Sequence, residues 1–175
     1  PIWLVLWTLI PIAIWVGDKG PVFYTQRRTG KDGRVFIIYK FRTMVPEAQF
    51  KGPAWTMQGD SRVTRVGRIL RRTALDELPE LWNVLKGDMS FVGPRALDVK
   101  EQRSLEEQIP GFERRLQVPP GLTGLAQVYN PGDNADDKFK YDLSYLERMG
   151  PWLDFKLLTL SVRNTFSIRW DQRRG

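Results

Sequence analysis

The run from Ile2 to Val16 carries no charged residue and a single polar side chain, Thr8, and no other feature narrows the fold as much. Wound as an α-helix at about 1.5 Å per residue, it reaches roughly 22 Å, short of the roughly 30 Å hydrocarbon core of a bilayer. Pro11 lies inside it. A proline in a helix interior withholds a backbone donor and crowds the preceding turn, at a cost of roughly 3 kcal/mol. Trp3, Trp7, Pro11 and Trp15 recur every four residues and share one helical row. Trp favours the membrane–water boundary, so the expectation is a re-entrant or shallow membrane helix over residues 1–17, bent at Pro11. The run also reads as the end of a longer transmembrane helix, because the chain opens on Pro1 without a methionine. A buried soluble helix is a further alternative. A secretory signal would need a basic start and a small-residue cleavage site, and both are missing.

The chain has 175 residues, enough for one domain with a substantial core. It contains neither cysteine nor histidine. That excludes disulfides, thiolate metal sites, the usual zinc sites and Ser-His-Asp triads. Chemistry must come from carboxylates, hydroxyls, lysine, arginine and a hard, oxygen-loving cation. The formal charge of +7 attracts anions, whether nucleic acid, acidic lipid headgroups or phosphorylated substrates.

Val22 to Tyr24 and Arg34 to Thr43 read as strands, with Lys31-Asp32-Gly33 as the turn between them. Pro46 to Asp60 reads as a loop. Arg62 to Arg72 has helical character. Leu78, Leu81, Trp82 and Leu85 follow an amphipathic-helix spacing that Gly87 ends. Asp98 to Gln108, Lys138 to Met149 and Trp152 to Phe166 read as further helices, with an irregular stretch from Pro119 to about Asp137. The fold class expected is mostly α with a small β-hairpin, an α+β arrangement. It comprises the membrane helix of residues 1–17 and a compact body of residues 18–175 with interfacial amphipathic helices.

With histidine absent, the adjacent carboxylates of Asp76 and Glu77 stand out. If the amphipathic helix starts there, Asp76 is its N-cap and Pro79 lies in its first turn, where proline is tolerated. An ionised Asp beside a phosphate can attack phosphorus, provided positive charge offsets the repulsion. From these residues alone, plain helix capping is the commoner explanation of the pair. Arg62, Arg65, Arg68, Arg71 and Arg72 precede it and suit an anionic bilayer, nucleic acid phosphates or a solvated face. Gly93-Pro94-Arg95 fixes an arginine on a rigid turn, either for bidentate phosphate binding or as ordinary surface. Lys40 and Arg42 share one strand face opposite Tyr39 and Phe41; they bind phosphate or nucleotide, or form the solvent side of a hairpin. Pro120-Gly121-Leu122-Thr123-Gly124 is an amide nest for an anion or a tight turn. No P-loop or Gly-x-Gly-x-x-Gly motif occurs.

Together these segments resemble the monotopic phosphoglycosyl transferases, also called bacterial sugar transferases, over nearly the whole chain. The motifs that carry the resemblance are Gly20-Pro21-Val22-Phe23-Tyr24, Tyr39-Lys40-Phe41-Arg42-Thr43-Met44, Leu75-Asp76-Glu77-Leu78-Pro79-Glu80-Leu81, the run from Asn83 to Arg95, and Pro120 to Val128. The resemblance implies that Asp76 is a nucleophile toward the sugar-linked phosphate of a UDP-sugar, releasing UMP. It further implies that polyprenol phosphate then takes the phosphosugar. It implies Mg2+ held partly by Asp76, Glu77 as the second member of the dyad, and Arg71 and Arg95 on substrate phosphates. The implied location is the cytoplasmic face of a bacterial inner membrane, against anionic lipid headgroups and without nucleic acid; the oligomeric state is left open. Three departures are visible: Ile10-Pro11 replaces the family's Ser-Pro pair, Ala96 stands where a second proline commonly follows the arginine, and the membrane segment lacks its usual basic start. The missing basic start leads to the expectation that the N-terminal segment is truncated; whether a further membrane domain precedes it is left open. The competing readings are a basic nucleic-acid-binding module and a non-catalytic membrane scaffold.

Overall fold

The computed structural model describes residues 2–48, 59–129 and 134–166. Most of the expected loop from Pro46 to Asp60 lies outside these residues. The described residues are mostly helical with two small sheets, in agreement with the α+β expectation.

Helix α1 (Ile2–Gly17) runs through Pro11 without a break. Ile10 and Ile14 are buried with Phe41 and Leu70, and Leu6, Trp7, Val66 and Leu78 pack around them. Each such apolar side chain contributes roughly 1.5–3 kcal/mol when fully buried, so α1 is fastened to the body through a shared core. The tryptophan row divides. Trp7 turns inward, edge-on to Phe41 at 5.5 Å between ring centroids, while Trp15 is exposed with Leu4, Leu9, Ile12 and Val16. Trp3's side chain lies outside those described. No helix among the described residues is long and apolar enough to cross a membrane.

The hairpin pairs β1 (Phe23–Thr29) antiparallel with β2 (Val35–Phe41), in register from Phe23 opposite Phe41 to Thr29 opposite Val35. The first strand is longer than the apolar pattern predicts, because Gln26, Arg27 and Arg28 in its second half conceal it. Asp32 in the turn adopts φ 55°, a left-handed conformation that Asp tolerates better than most residues.

Helix α2 (Arg65–Arg72) starts three residues later than expected, after its N-cap Thr64, whose hydroxyl accepts from the Gly67 amide at 2.9 Å. Arg62 instead forks onto Asp60 at 2.6 Å. That pairing holds the Asp60 carboxyl well below its usual range, at about 2. Gly67 has no room for a side chain: a Cβ there would lie 2.0 Å from the Thr43 carbonyl oxygen.

The second sheet is a surprise. Strands β3 (Ser90–Val92) and β4 (Gly121–Thr123) pair in parallel. At three residues each they are too short to carry a period, and glycine permits their close approach. A Cβ on Gly121 would meet the Gly93 nitrogen at 2.1 Å, and one on Gly124 the Gly93 carbonyl oxygen at 2.2 Å. The anion-nest reading is therefore corrected: the Gly121 amide donates to the Pro94 carbonyl at 2.9 Å and the Thr123 carbonyl accepts from Gly93 at 2.8 Å. Helices α3 (Leu81–Leu85), α4 (Val99–Gln108), α5 (Leu125–Tyr129), α6 (Ala135–Arg148) and α7 (Pro151–Phe166) complete the fold. Asp98 caps α4 and Asn134 caps α6 through their side chains. Val92, Val128, Tyr145 and Leu157 form one further core, and Leu97, Phe112 and Phe139 another.

Candidate active site

The expected N-cap at Asp76 is not what forms. Residues Leu75–Glu80 wind as a 3-10 helix, preceded by Ala74 in the left-handed conformation at φ 52° and with no side-chain cap; α3 begins only at Leu81. Pro79 is the physical reason. It has no amide hydrogen for the α-helical bond and its ring crowds the turn before it, which favours a tighter winding. Asp76 is thus within the first turn and is almost wholly buried, at 3% exposure.

The tighter winding organises the site. At three residues per turn, residues 77 and 80 eclipse, and residue 76 points about 120° away. Glu77 and Glu80 consequently converge on one cation: the Lys40 Nζ lies 2.9 Å from Glu77 Oε1 and 3.0 Å from Glu80 Oε1. Lys40 comes from β2, over which the 3-10 segment lies. Arg95 comes from the loop after β3 and places Nη2 3.0 Å from the same Glu77 oxygen. Glu77 therefore joins two cations, and its charge holds the Arg95 guanidinium firmly protonated, with Asp76 and Glu80 adding to the effect. Glu80 was not foreseen in the sequence. Burial pushes its carboxyl above the ordinary value, against the attraction of Lys40. The i, i+3 spacing of Glu77 and Glu80 around a proline was the available signal.

The other expected residues are distributed differently. Arg71 donates from Nε to the Thr43 hydroxyl at 2.9 Å. Arg42 follows the end of β2 instead of continuing its Lys40 face; it is buried, and its Nη2 donates to the Asp18 carbonyl beyond the end of α1. The structure thus brings Lys40, Asp76, Glu77 and Arg95 together and directs Arg42 to the base of α1.

Asn83 went unremarked as a functional side chain. Fully buried, it accepts from the Tyr39 amide at 3.3 Å and donates to the Ile37 carbonyl at 2.7 Å. One side-chain amide thus satisfies the outer edge of β2 as a third strand would, and it ties α3 to the strand bearing Lys40. The Arg95 loop is held in the same manner. Arg28 donates to the Ala96 carbonyl at 3.0 Å, the Leu97 carbonyl accepts from the Thr29 amide at 3.0 Å, and Arg115 donates to the Arg95 carbonyl at 2.7 Å. These bonds supply a restraint that Ala96, in place of proline, does not.

A cation of the magnesium type commonly takes one or two carboxylates together with substrate phosphates and water. The described residues contain no group of three or more acidic, histidine or cysteine side chains arranged for a metal. Asp76 supplies a hard oxygen donor of the right kind, while Glu77 and Glu80 are already compensated by Lys40. The donor chemistry fits an ion shared between Asp76 and a phosphate.

The model of the family described as bacterial sugar transferase matches residues 1–168. The chain belongs to the bacterial sugar transferase family. Among similar proteins, the UDP-N-acetylgalactosamine-undecaprenyl-phosphate N-acetylgalactosaminephosphotransferase of Aeromonas hydrophila is 39% identical over 93% of this chain and 40% of its own length. The UDP-glucose:undecaprenyl-phosphate glucose-1-phosphate transferase of Escherichia coli is 38% identical over 90% of this chain and 35% of its own. An uncharacterized sugar transferase, EpsL, of Bacillus subtilis is 40% identical over 91% of this chain and 76% of its own. The chain thus spans well under half the length of the first two relatives.

Proposed function

We propose that this sugar-transferase chain is a phosphoglycosyl transferase that moves a sugar-1-phosphate from a UDP-sugar to polyprenol phosphate. The observation that carries the reading is the convergence of Asp76 and Glu77 with Lys40 and Arg95 from three separate elements, in a chain whose relatives are named for that reaction.

An Asp76 carboxylate oxygen attacks the phosphorus that bears the sugar. The bond from that phosphorus to the UMP oxygen breaks, and UMP departs with the electron pair. The phosphosugar stays on Asp76 as an acyl phosphate. A phosphate oxygen of the polyprenol phosphate then attacks the same phosphorus, the bond to Asp76 breaks and the carboxylate is restored. Arg95, 40% exposed, is the member of the cluster open to solvent and meets the incoming phosphates; Glu77, itself paired with Lys40, holds it in place. A magnesium ion bound by Asp76 and phosphate oxygens would offset the repulsion between carboxylate and diphosphate.

The exposed apolar side of α1 supports a membrane location, since contiguous apolar surface of this kind marks an interaction face. In this reading residues 1–17 are a shallow, re-entrant segment of one leaflet, with Pro11 the point at which the helix bends. Residues 18–175 rest on the cytoplasmic face of a bacterial inner membrane, with the exposed Arg65, Arg68 and Ile69 of α2 toward anionic headgroups. Cysteines placed at either end of α1 should react from the same side of the membrane; reaction from opposite sides removes the re-entrant arrangement.

The decisive experiment is intact-protein mass spectrometry after mixing the membrane-reconstituted protein, magnesium and a panel of UDP-sugars without polyprenol phosphate. A phosphosugar adduct on Asp76, discharged when undecaprenyl phosphate is added, is expected. Turnover with the adduct elsewhere, or with none formed, overturns the mechanism.

A further inference from the structure

Arg115 is nearly inaccessible, at 3% exposure, and belongs to none of the motifs that define the site. Each direction of its guanidinium is used. Nε donates to Asp142 on α6 at 2.8 Å, Nη1 to Gln102 on α4 at 3.0 Å, and Nη2 to the Arg95 backbone carbonyl at 2.7 Å. The guanidinium carbon also lies 5.3 Å from the centre of the Phe112 ring. A buried ion pair is weak support for stability, because desolvating two charges offsets most of their attraction, and well-packed apolar residues commonly serve as well. An apolar pair could not, however, reach the carbonyl of residue 95.

We propose that Arg115 is a positioning residue for the active site: anchored by Asp142 and Gln102, it fixes the Arg95 backbone so that the Arg95 side chain remains on Glu77 beside Asp76. Arg28 performs the matching task one residue further on, at the Ala96 carbonyl. A void of about 10 Å³ bordered by Pro94, Arg95 and Arg115 has room for about one water molecule, so the loop has little space to relax into. Arg115 is fork-shaped where lysine is a point donor, and only a fork serves three acceptors at fixed angles.

The proposal rests on the transferase reading, and its test separates the two. In the membrane-reconstituted full chain, the double variant Arg115→Met with Asp142→Leu removes both charges together, which avoids leaving one buried and unpaired. Three quantities are measured: the thermal midpoint, kcat/KM for UMP release from UDP-glucose and UDP-N-acetylgalactosamine, and amide hydrogen exchange across Gly93–Asp98. The expected result is a midpoint close to the parent's, kcat/KM lowered about tenfold or more, and exchange across that segment accelerated at least about tenfold relative to α7. In an Arg95→Ala background the same pair should lower kcat/KM by less than about twofold, because the side chain being positioned is gone. Arg115→Lys, which keeps the charge but not the fork, should show the same losses in reduced measure, and it serves if the double variant does not fold.

Unchanged exchange at Gly93–Asp98, or an equal loss of kcat/KM with and without Arg95, overturns the positioning role. A parent protein that releases no UMP from either donor counts against the transferase reading, and the exchange measurement then decides the positioning claim without it.

Discussion

Two ion-pair clusters in this protein use the same residue types to different ends. Around Arg115 the chemistry is closed: the Arg115–Asp142 pair has both side chains 4% exposed, and every branch of the guanidinium meets an acceptor. Burial raises the Asp142 carboxyl even with the arginine against it, a sign of how much desolvation such a pair must overcome. Around Asp76 the chemistry is shared. Lys40 serves two carboxylates, one Glu77 oxygen serves two cations, and Arg95 keeps 40% of its side chain in solvent. A closed network cannot take a ligand without breaking, whereas a shared one can hand a contact to an incoming phosphate. In the proposed mechanism this contrast separates the group that orients from the groups that react.

The strongest challenge to that contrast is Asp76→Asn. It keeps shape and removes the attacking charge, so UMP release should fall by at least roughly a thousandfold, with the thermal midpoint near the parent's. Turnover that survives would move the nucleophile elsewhere. Next in size is a comparison of two single substitutions by chemical or thermal unfolding. Arg115→Met strands the buried Asp142 and should cost roughly 3–5 kcal/mol, whereas Arg95→Ala breaks a partly exposed pair and should cost no more than about 1 kcal/mol. Equal costs would mean that the two clusters do not differ in kind. Gly67→Ala tests the platform beneath the site. The added carbon runs into the Thr43 backbone, beside the hydroxyl that Arg71 uses, and a loss of roughly 1–3 kcal/mol is expected from the unfolding midpoint.

The smallest effect concerns pH. Burial raises the Glu80 carboxyl above its ordinary 4.5, so the folded chain holds that proton more tightly than the unfolded one. The resulting stability is complete below about pH 4.5 and is lost as pH rises through the folded-state value. Glu80→Gln has no proton to lose. Its thermal midpoint should gain on the parent's by a few degrees at most as pH rises through that window, and parallel pH profiles would exclude the effect.

Much of the site was legible because its chemistry is written in short contiguous runs. Asp76 and Glu77 are neighbours, Lys40 lies in a strand with a clear pattern, and Gly-Pro announces the turn bearing Arg95. The residues that went unread share another property, since Asn83, Glu80, Arg28 and Arg115 act on partners far along the chain or through a winding the local pattern does not disclose. Arg115 and the Arg95 carbonyl are 20 residues apart, and Asn83 and Ile37 are 46 apart.

The sequence alone determined the helix-rich α+β class, the antiparallel hairpin, the helix that follows Asp98, and the adjacent carboxylates of Asp76 and Glu77. All of these follow from local sterics, side-chain period and the exclusion of histidine and cysteine chemistry. Only the tertiary structure decided that Asp76 lies in a 3-10 turn instead of capping a helix, that Glu77 and Glu80 meet on Lys40, and that Arg42 leaves the site for the end of α1. It alone brought Gly93 against Gly121 and Gly124 to build the parallel pair. The reason is physical: backbone contacts under 3 Å and shared charges are set by which distant segments can approach, and a chain read one residue at a time carries no measure of that distance.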